Sequence, residues 1–341
     1  MGKVGNIARL NQVKVVAIGG GNGLSCLLSG LKRFVSATAG GFVSISSLSA
    51  IVAVTDDGGS SGRLRDERQM LPPGDIRNCM VALSEDSLLL SRLLRYRFSG
   101  SGALAGHSFG NIFLAALTEL TGDFAEAVRL SSEILASKGH IYPATTANVQ
   151  LAAELVDGSI AYGETKISQV GPRVRRVYLE PEECHPMPEA ISAISEADLI
   201  TIGPGSLLTS LLPPLLVHGV ADAIASSMAT KVFVSNLMTQ PGETDGFSAL
   251  KHLDILREYA PRLDFDHVVL NSEEISSEQK EKYASEGASQ IGIDELDAVR
   301  HAYDVNVVYT NLLSEGEMVR HDPDRLAEAV LSCSMSAEAA V

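Results

Sequence analysis

The chain has 341 residues, 45% of them hydrophobic and 20% charged, with a formal net charge of −15. Such length and apolar content can build a substantial core, while the acidity excludes a non-specific nucleic-acid binder, which needs a basic surface. Cys26, Cys79, Cys184 and Cys333 are scattered with no C-x-x-C pair, so neither a disulfide framework nor a structural zinc site is expected and a reducing cytoplasm is the default compartment.

Residues 1–12 read as an N-terminal extension without the apolar stretch of a signal peptide, and no run approaches the ~20 apolar residues of a membrane span. The first apolar run, Val13–Ile18, ends in Gly19-Gly20-Gly21-Asn22-Gly23-Leu24. A buried strand that ends in glycines and hands over to a helix lets backbone N–H groups close on a phosphate. The glycine spacing departs from the dinucleotide fingerprint: Leu24 or Cys26 falls where the third glycine belongs, and no Lys-Ser or Lys-Thr follows as in a Walker A loop. A nicotinamide-binding reading is weakened accordingly. Ser36–Ser47 reads as a Ser/Gly/Ala-rich loop.

A second run, Leu48–Val54, enters Thr55-Asp56-Asp57-Gly58-Gly59-Ser60-Ser61-Gly62-Arg63. At the carboxyl edge of an open α/β sheet, Asp56 or Asp57 could hold a divalent cation or a ribose hydroxyl, and Ser60, Ser61 and Arg63 suit phosphate oxygens. Leu71-Pro72-Pro73-Gly74-Asp75-Ile76-Arg77-Asn78 is a rigid turn opening a helix, with Asp75 placed either as N-cap or as ligand contact. Gly106-His107-Ser108-Phe109-Gly110 matches the G-x-S-x-G nucleophile elbow, but the preceding Ser99–Ala105 is a poor strand. A loop into a helix N-terminus, with His107, Ser108 and Asn111 facing a ligand, is preferred to a serine hydrolase.

Helical patterns occupy Ser84–Tyr96, Ile112–Thr121, Phe124–Ser137, Pro188–Glu196, Val220–Ser227 and Ser276–Ala284, between further strand candidates at Ala197–Ile202, Lys231–Ser235, His267–Leu270 and Val305–Tyr309. This alternation, with no Trp and few aromatic residues, predicts a Rossmann-like α/β fold: a doubly wound, mostly parallel sheet with helices on both faces. Around 145–180 the pattern changes. Asp157-Gly158 between alternating runs signals a hairpin, and Arg173–Leu179 adds a third run, so a small antiparallel β insertion is expected, as an oligomer contact or a flap. The arginines of Arg173–Arg176 read as a solvated strand edge. Two more turns, Gly203-Pro204-Gly205-Ser206-Leu207 and Asn236-Leu237-Met238-Thr239-Gln240-Pro241-Gly242-Glu243-Thr244, also follow predicted strands. Together the four would line one sheet edge. The organisation expected is one domain over 13–332 and a C-terminal tail over 333–341.

These turns, in this order, resemble those of the bacterial gluconeogenesis-factor (YvcK-like) family, which is related to the 2-phospho-L-lactate transferases. The resemblance covers roughly residues 13 to 330. It implies a cytoplasmic, Rossmann-like regulator that binds UDP-N-acetylglucosamine and links carbon supply to cell-wall precursor synthesis and cell shape. Tyr283 and Arg320 look like the family's late tyrosine and arginine that support nucleotide-sugar binding. Asn22 stands where the family usually has Thr, and the Ser36–Ser47 loop is longer than usual. The expected ligand contacts are thus Gly20, Gly21, Asn22, Gly23, Asp56, Asp57, Gly59, Ser60, Ser61, Arg63, Asp75, Asn78, His107, Ser108, Asn111, Gly203, Gly205, Ser206, Asn236, Thr239, Tyr283 and Arg320. No cofactor is required, although Mg²⁺ arriving with a nucleotide would fall to Asp56 or Asp57. The expected partners are the nucleotide sugar, a protein of amino-sugar synthesis and a second copy of the chain. The rival reading is a Mg²⁺-dependent phosphotransferase or nucleotidyltransferase using Asp56 or Asp57.

Overall fold

The computed structural model describes residues 11–36, 43–85, 88–170 and 173–335. The strands in chain order are β1 (Asn11–Gly19), β2 (Val43–Val52), β3 (His140–Pro143), β4 (Gln150–Leu155), β5 (Ile160–Tyr162), β6 (Val174–Glu180), β7 (Leu199–Ile202), β8 (Thr230–Val234), β9 (His267–Asn271) and β10 (Asn306–Thr310). Seven form one sheet in the order β10-β9-β8-β7-β1-β2-β3, and every pairing in it is parallel. All residues of β7 and β9 are buried, as strands must be when helices cover both faces of a parallel sheet. Helix Gly21–Leu31, for example, packs on Gly74–Leu83 and Pro323–Met335. Strands β5-β4-β6 form the separate antiparallel sheet, turned at Asp157-Gly158 as expected.

Several boundaries differ from the sequence reading. The reading of Ser36–Ser47 as a loop fails at its C-terminal end: Val43–Ser47 is strand, because β2 pairs in parallel with nearly all of β1 and buries Ser44. Residues 37–42 of that loop, and 1–10 of the N-terminal extension, lie outside the described residues, while Asn11 and Gln12 already belong to β1. The tail begins later than expected, since helix Pro323–Met335 continues through Cys333, and 336–341 lie outside the described residues. Ser84–Tyr96 is no single helix: one helix ends at Leu83 and the next spans Leu88–Arg95. Within the insertion, Glu164 starts a helix, Glu164–Val170, rather than ending a strand. The arginine run is solvated as expected, with Arg175 and Arg176 on Glu154 at 3.0 and 3.2 Å.

Strand order reverses between β1 and β7. In doubly wound sheets a ligand crevice opens outside the carboxyl ends of the strands at that point. Among the described residues no single helix is long and apolar enough to cross a membrane.

Candidate functional site

The four glycine- or asparagine-bearing turns do follow β1, β2, β7 and β8, and so share the carboxyl edge of the sheet. A cleft of about 410 Å³ opens there. Gly20, Gly21, Asn22 and Gly23 supply one wall, Gly205, Ser206 and Asn236 another, and Asp56, Asp75 and Arg320 complete the part foreseen from sequence. The turns are fastened to one another. Asn236 accepts the Gly205 N–H at 3.0 Å and donates to the Gly205 carbonyl at 2.7 Å, and Gln240 donates to the Ser206 hydroxyl at 2.7 Å. After Ser206 the chain takes a π-type turn over Leu207–Leu211, a conformation that recurs at functional sites.

Asp75 is not an N-cap. Its helix starts one residue earlier, at Gly74, with no side-chain cap, and the carboxyl faces the cleft, where the Gly21 N–H donates to it. Burial, and then the neighbouring Asp56, push the Asp75 carboxyl up to about 7, against the opposing pull of the Gly21 N–H and Arg77. Asp56 accepts the Gly58 N–H at 2.9 Å.

Other sequence candidates do not line the cleft. Asp57 accepts both the N–H and the hydroxyl of Thr165, at 3.0 and 2.7 Å, and so ties the second turn to the insertion. Ser60, Ser61, His107, Ser108 and Asn111 are buried in a network behind Asp56 rather than facing a ligand. Ser60 meets His107 Nδ1 at 3.0 Å, and Asn111 donates to Ser60 and Ser61 at 3.1 and 3.4 Å. Ser108 caps helix Phe109–Thr121 by accepting the Asn111 N–H, and also accepts from Arg77 at 2.8 Å. That geometry removes the nucleophile-elbow reading: no strand precedes Ser108, and His107 is engaged with Ser60. Burial, and then Arg63, lower the His107 pKa.

Arg63 donates to the Ala105 carbonyl at 2.8 Å, Asn78 accepts from Arg77 at 2.6 Å, and Thr239 accepts the Ser289 N–H at 2.8 Å. Gly59 and Gly203 do not line the cleft either. Tyr283 acts from a distance: its hydroxyl accepts the Val319 N–H at 3.0 Å, beside Arg320. Tyr283→Phe should therefore cost about 1 kcal/mol in stability, a single neutral hydrogen bond. Urea denaturation of the variant beside the wild type checks it.

The cleft also holds residues that sequence reasoning missed: Glu164, Gln240, Ser210, Val319 and His321. Gln240 lies inside the recognised Asn236–Thr244 turn, and His321 directly follows Arg320. Glu164 comes from the insertion, and no local pattern points to it. Burial, then Asp75 and Asp56, raise its carboxyl to about 8. Just behind, Glu243 accepts the Leu208 N–H at 2.8 Å, and burial raises it to about 7. The His321 ring is pushed down to about 4 by burial and is neutral.

A larger hollow of about 560 Å³ lies against β3, but it shares no residue with the turns, and its Arg129 is already paired with Glu126 and Glu133.

Residues 15–313 match the family described as 2-phospho-L-lactate transferase CofD. The chain is 46% identical over 326 residues to a putative gluconeogenesis factor of Aquifex aeolicus, covering 94% of this chain and 97% of that protein. It is 43% identical to the gluconeogenesis factor of Bacillus subtilis, over 93% and 97% of the two chains. A crystal structure of a UPF0052-family protein from Bacillus halodurans superposes with a TM-score of 0.87 at 42% identity, covering 94% of this chain and 99% of that one. The chain thus belongs to the CofD family, among the relatives named gluconeogenesis factors.

Proposed function

We propose that this chain is a cytoplasmic regulator of carbon metabolism that senses UDP-N-acetylglucosamine in the cleft between β1 and β7. Through it, gluconeogenic carbon supply would be linked to cell-wall precursor synthesis and cell shape. The observation that carries this reading is the cleft itself: backbone of two glycine turns converges at the strand-order reversal, with carboxylates and Arg320 around it. Glycine turns suit a diphosphate, carboxylates suit sugar hydroxyls, and about 410 Å³ falls within the range of small-ligand sites. The Ser60–His107 contact lies behind the cleft rather than in it.

Mg²⁺ fits the donor set. Asp56 and Asp75 are hard oxygen donors whose mutual repulsion a cation would relieve. No group of three or more ligating side chains occurs among the described residues. Mg²⁺ is commonly held by one or two carboxylates and completed by water and phosphate, and Asp56 and Asp75 would be those carboxylates. Bound there, it would neutralise phosphate charge.

The same pair supports a second reading, phosphoryl or nucleotidyl transfer, which the name of the matching family favours. Isothermal titration with UDP-N-acetylglucosamine, and with NAD in parallel, tests the first reading. Saturable binding of the nucleotide sugar is expected, and a preference for NAD would refute it. Incubation with UTP, N-acetylglucosamine-1-phosphate and Mg²⁺ tests the second. Turnover that Asp56→Asn abolishes would replace the sensor by an enzyme.

A further inference from the structure

Among the carboxyls that line the cleft, Asp56, Asp75 and Glu164, only Glu164 is supplied by the antiparallel insertion. It opens helix Glu164–Val170, which the antiparallel insertion carries over the sheet edge. Two contacts hold this helix in place. On one side Asp57 accepts the N–H and hydroxyl of Thr165, and Gly163 (φ +89°) lies so close that a Cβ there would stand 1.9 Å from Asp57 Oδ2. Only glycine permits that approach and that backbone. On the other side Gly242, in the fourth turn, abuts the Ser168 carbonyl, with 2.5 Å left for an added Cβ.

The surroundings of Glu164 leave a polar atom without a partner. Thr209, 2% exposed, lies within hydrogen-bond reach of the Glu164 carboxyl and steadies it from behind. On the same cleft the Gln240 carbonyl oxygen is buried and unpaired. Buried polar atoms are costly unless something completes them. A diphosphate cannot, because it has no donor to offer the Gln240 oxygen. A pair of neighbouring hydroxyls can, since one donates to the Gln240 oxygen while the other pairs with the Glu164 carboxyl, which can donate or accept.

We propose that Glu164 and Gln240 form a subsite for a vicinal diol of the bound nucleotide sugar, and that Asp57, Thr165 and Thr209 are positioning residues that hold Glu164 in the cleft. This rests on the nucleotide-sugar reading and adds the recognition of the sugar hydroxyls. The diol can be that of the hexose or that of the ribose, and the choice of ligands separates them.

The test is calorimetric titration of the full chain, in Mg²⁺, with UDP-N-acetylglucosamine, UDP and 2′,3′-dideoxy-UDP. Glu164→Ala should weaken only the diol-bearing member of one pair, by about fivefold for a lost hydrogen bond. A loss confined to UDP-N-acetylglucosamine assigns the hexose, and a loss of the preference for UDP over its dideoxy form assigns the ribose. Thr165→Val should reproduce part of the same loss, and Thr165→Ser should restore it. The unaffected ligand reports that the variant is folded. Equal weakening of all three ligands, or none, overturns the subsite while leaving nucleotide binding in place. A wild-type chain that binds none of them removes the underlying reading and the subsite with it.

Discussion

Replacing Gly23 by alanine should destabilise the protein by about 3 kcal/mol, the upper part of the usual cost of overpacking, and weaken nucleotide-sugar binding at least tenfold. An added Cβ would sit 2.2 Å from the Pro204 carbonyl oxygen, 2.6 Å from its carbon and 3.1 Å from the Gly205 nitrogen. These are backbone atoms, so no side chain can swing away. Nor is the third turn free to retreat, because Asn236 grips Gly205 through both its N–H and its carbonyl. Relief must come from parting the turns after β1 and β7, the two that form the cleft. Gly59→Ala is the control. Nothing lies within 4 Å of its added Cβ, so only its φ of +47° costs, roughly 1–2 kcal/mol of left-handed strain. Urea denaturation gives the stabilities and titration calorimetry the affinity. A Gly23→Ala protein as stable as Gly59→Ala would mean that the turns adjust without loss.

The parallel strands were legible because buried strands are continuous apolar runs closed by turn residues, as Val13–Ile18 and His267–Leu270 are. Strand β3 was not, since His140–Pro143 is four residues long, sits at the sheet edge and ends in proline. Helix Gly59–Arg68 was hidden by its glycine- and serine-rich start, which local propensity reads as loop. The turns themselves showed where a ligand would lie, but which way their side chains face is a tertiary property. His107 and Ser108 have the composition of a binding loop, yet they point inward because Ser60, Arg77 and Asn111 supply their hydrogen-bond partners. Asp56 and Asp57 are adjacent and chemically equal in sequence. Only the placement of the insertion, with Thr165 against Asp57, separates a cleft residue from a scaffold residue.

Asp75→Asn should stabilise the ligand-free protein while removing the proposed Mg²⁺-supported binding, and that opposition of sign would mark Asp75 as a functional group. Its carboxyl titrates near 3.8 when exposed and at about 7 in the fold, raised by burial and by Asp56. The folded chain therefore holds the proton more tightly than the unfolded chain, and the stability Asp75 contributes is lost as pH rises from about 4 through 7. Asparagine keeps the shape and an oxygen for the Gly21 N–H but carries no charge. The gap in Tm between variant and wild type should be nil below pH 4, widen up to pH 7 and stay constant above it. At pH 8 a gain of several degrees is expected, since a shift of about three pH units corresponds to a few kcal/mol. Adding Mg²⁺ and UDP-N-acetylglucosamine should reverse the order, because ligand that binds only the folded wild type raises its Tm by mass action and leaves the variant unmoved. Differential scanning fluorimetry across this pH range, with and without the two ligands, checks both halves. A variant less stable than wild type at pH 8 would make the Asp75 carboxylate a structural partner of the first glycine turn. A variant that still gains stability from Mg²⁺ and the nucleotide sugar would take Asp75 out of the binding site.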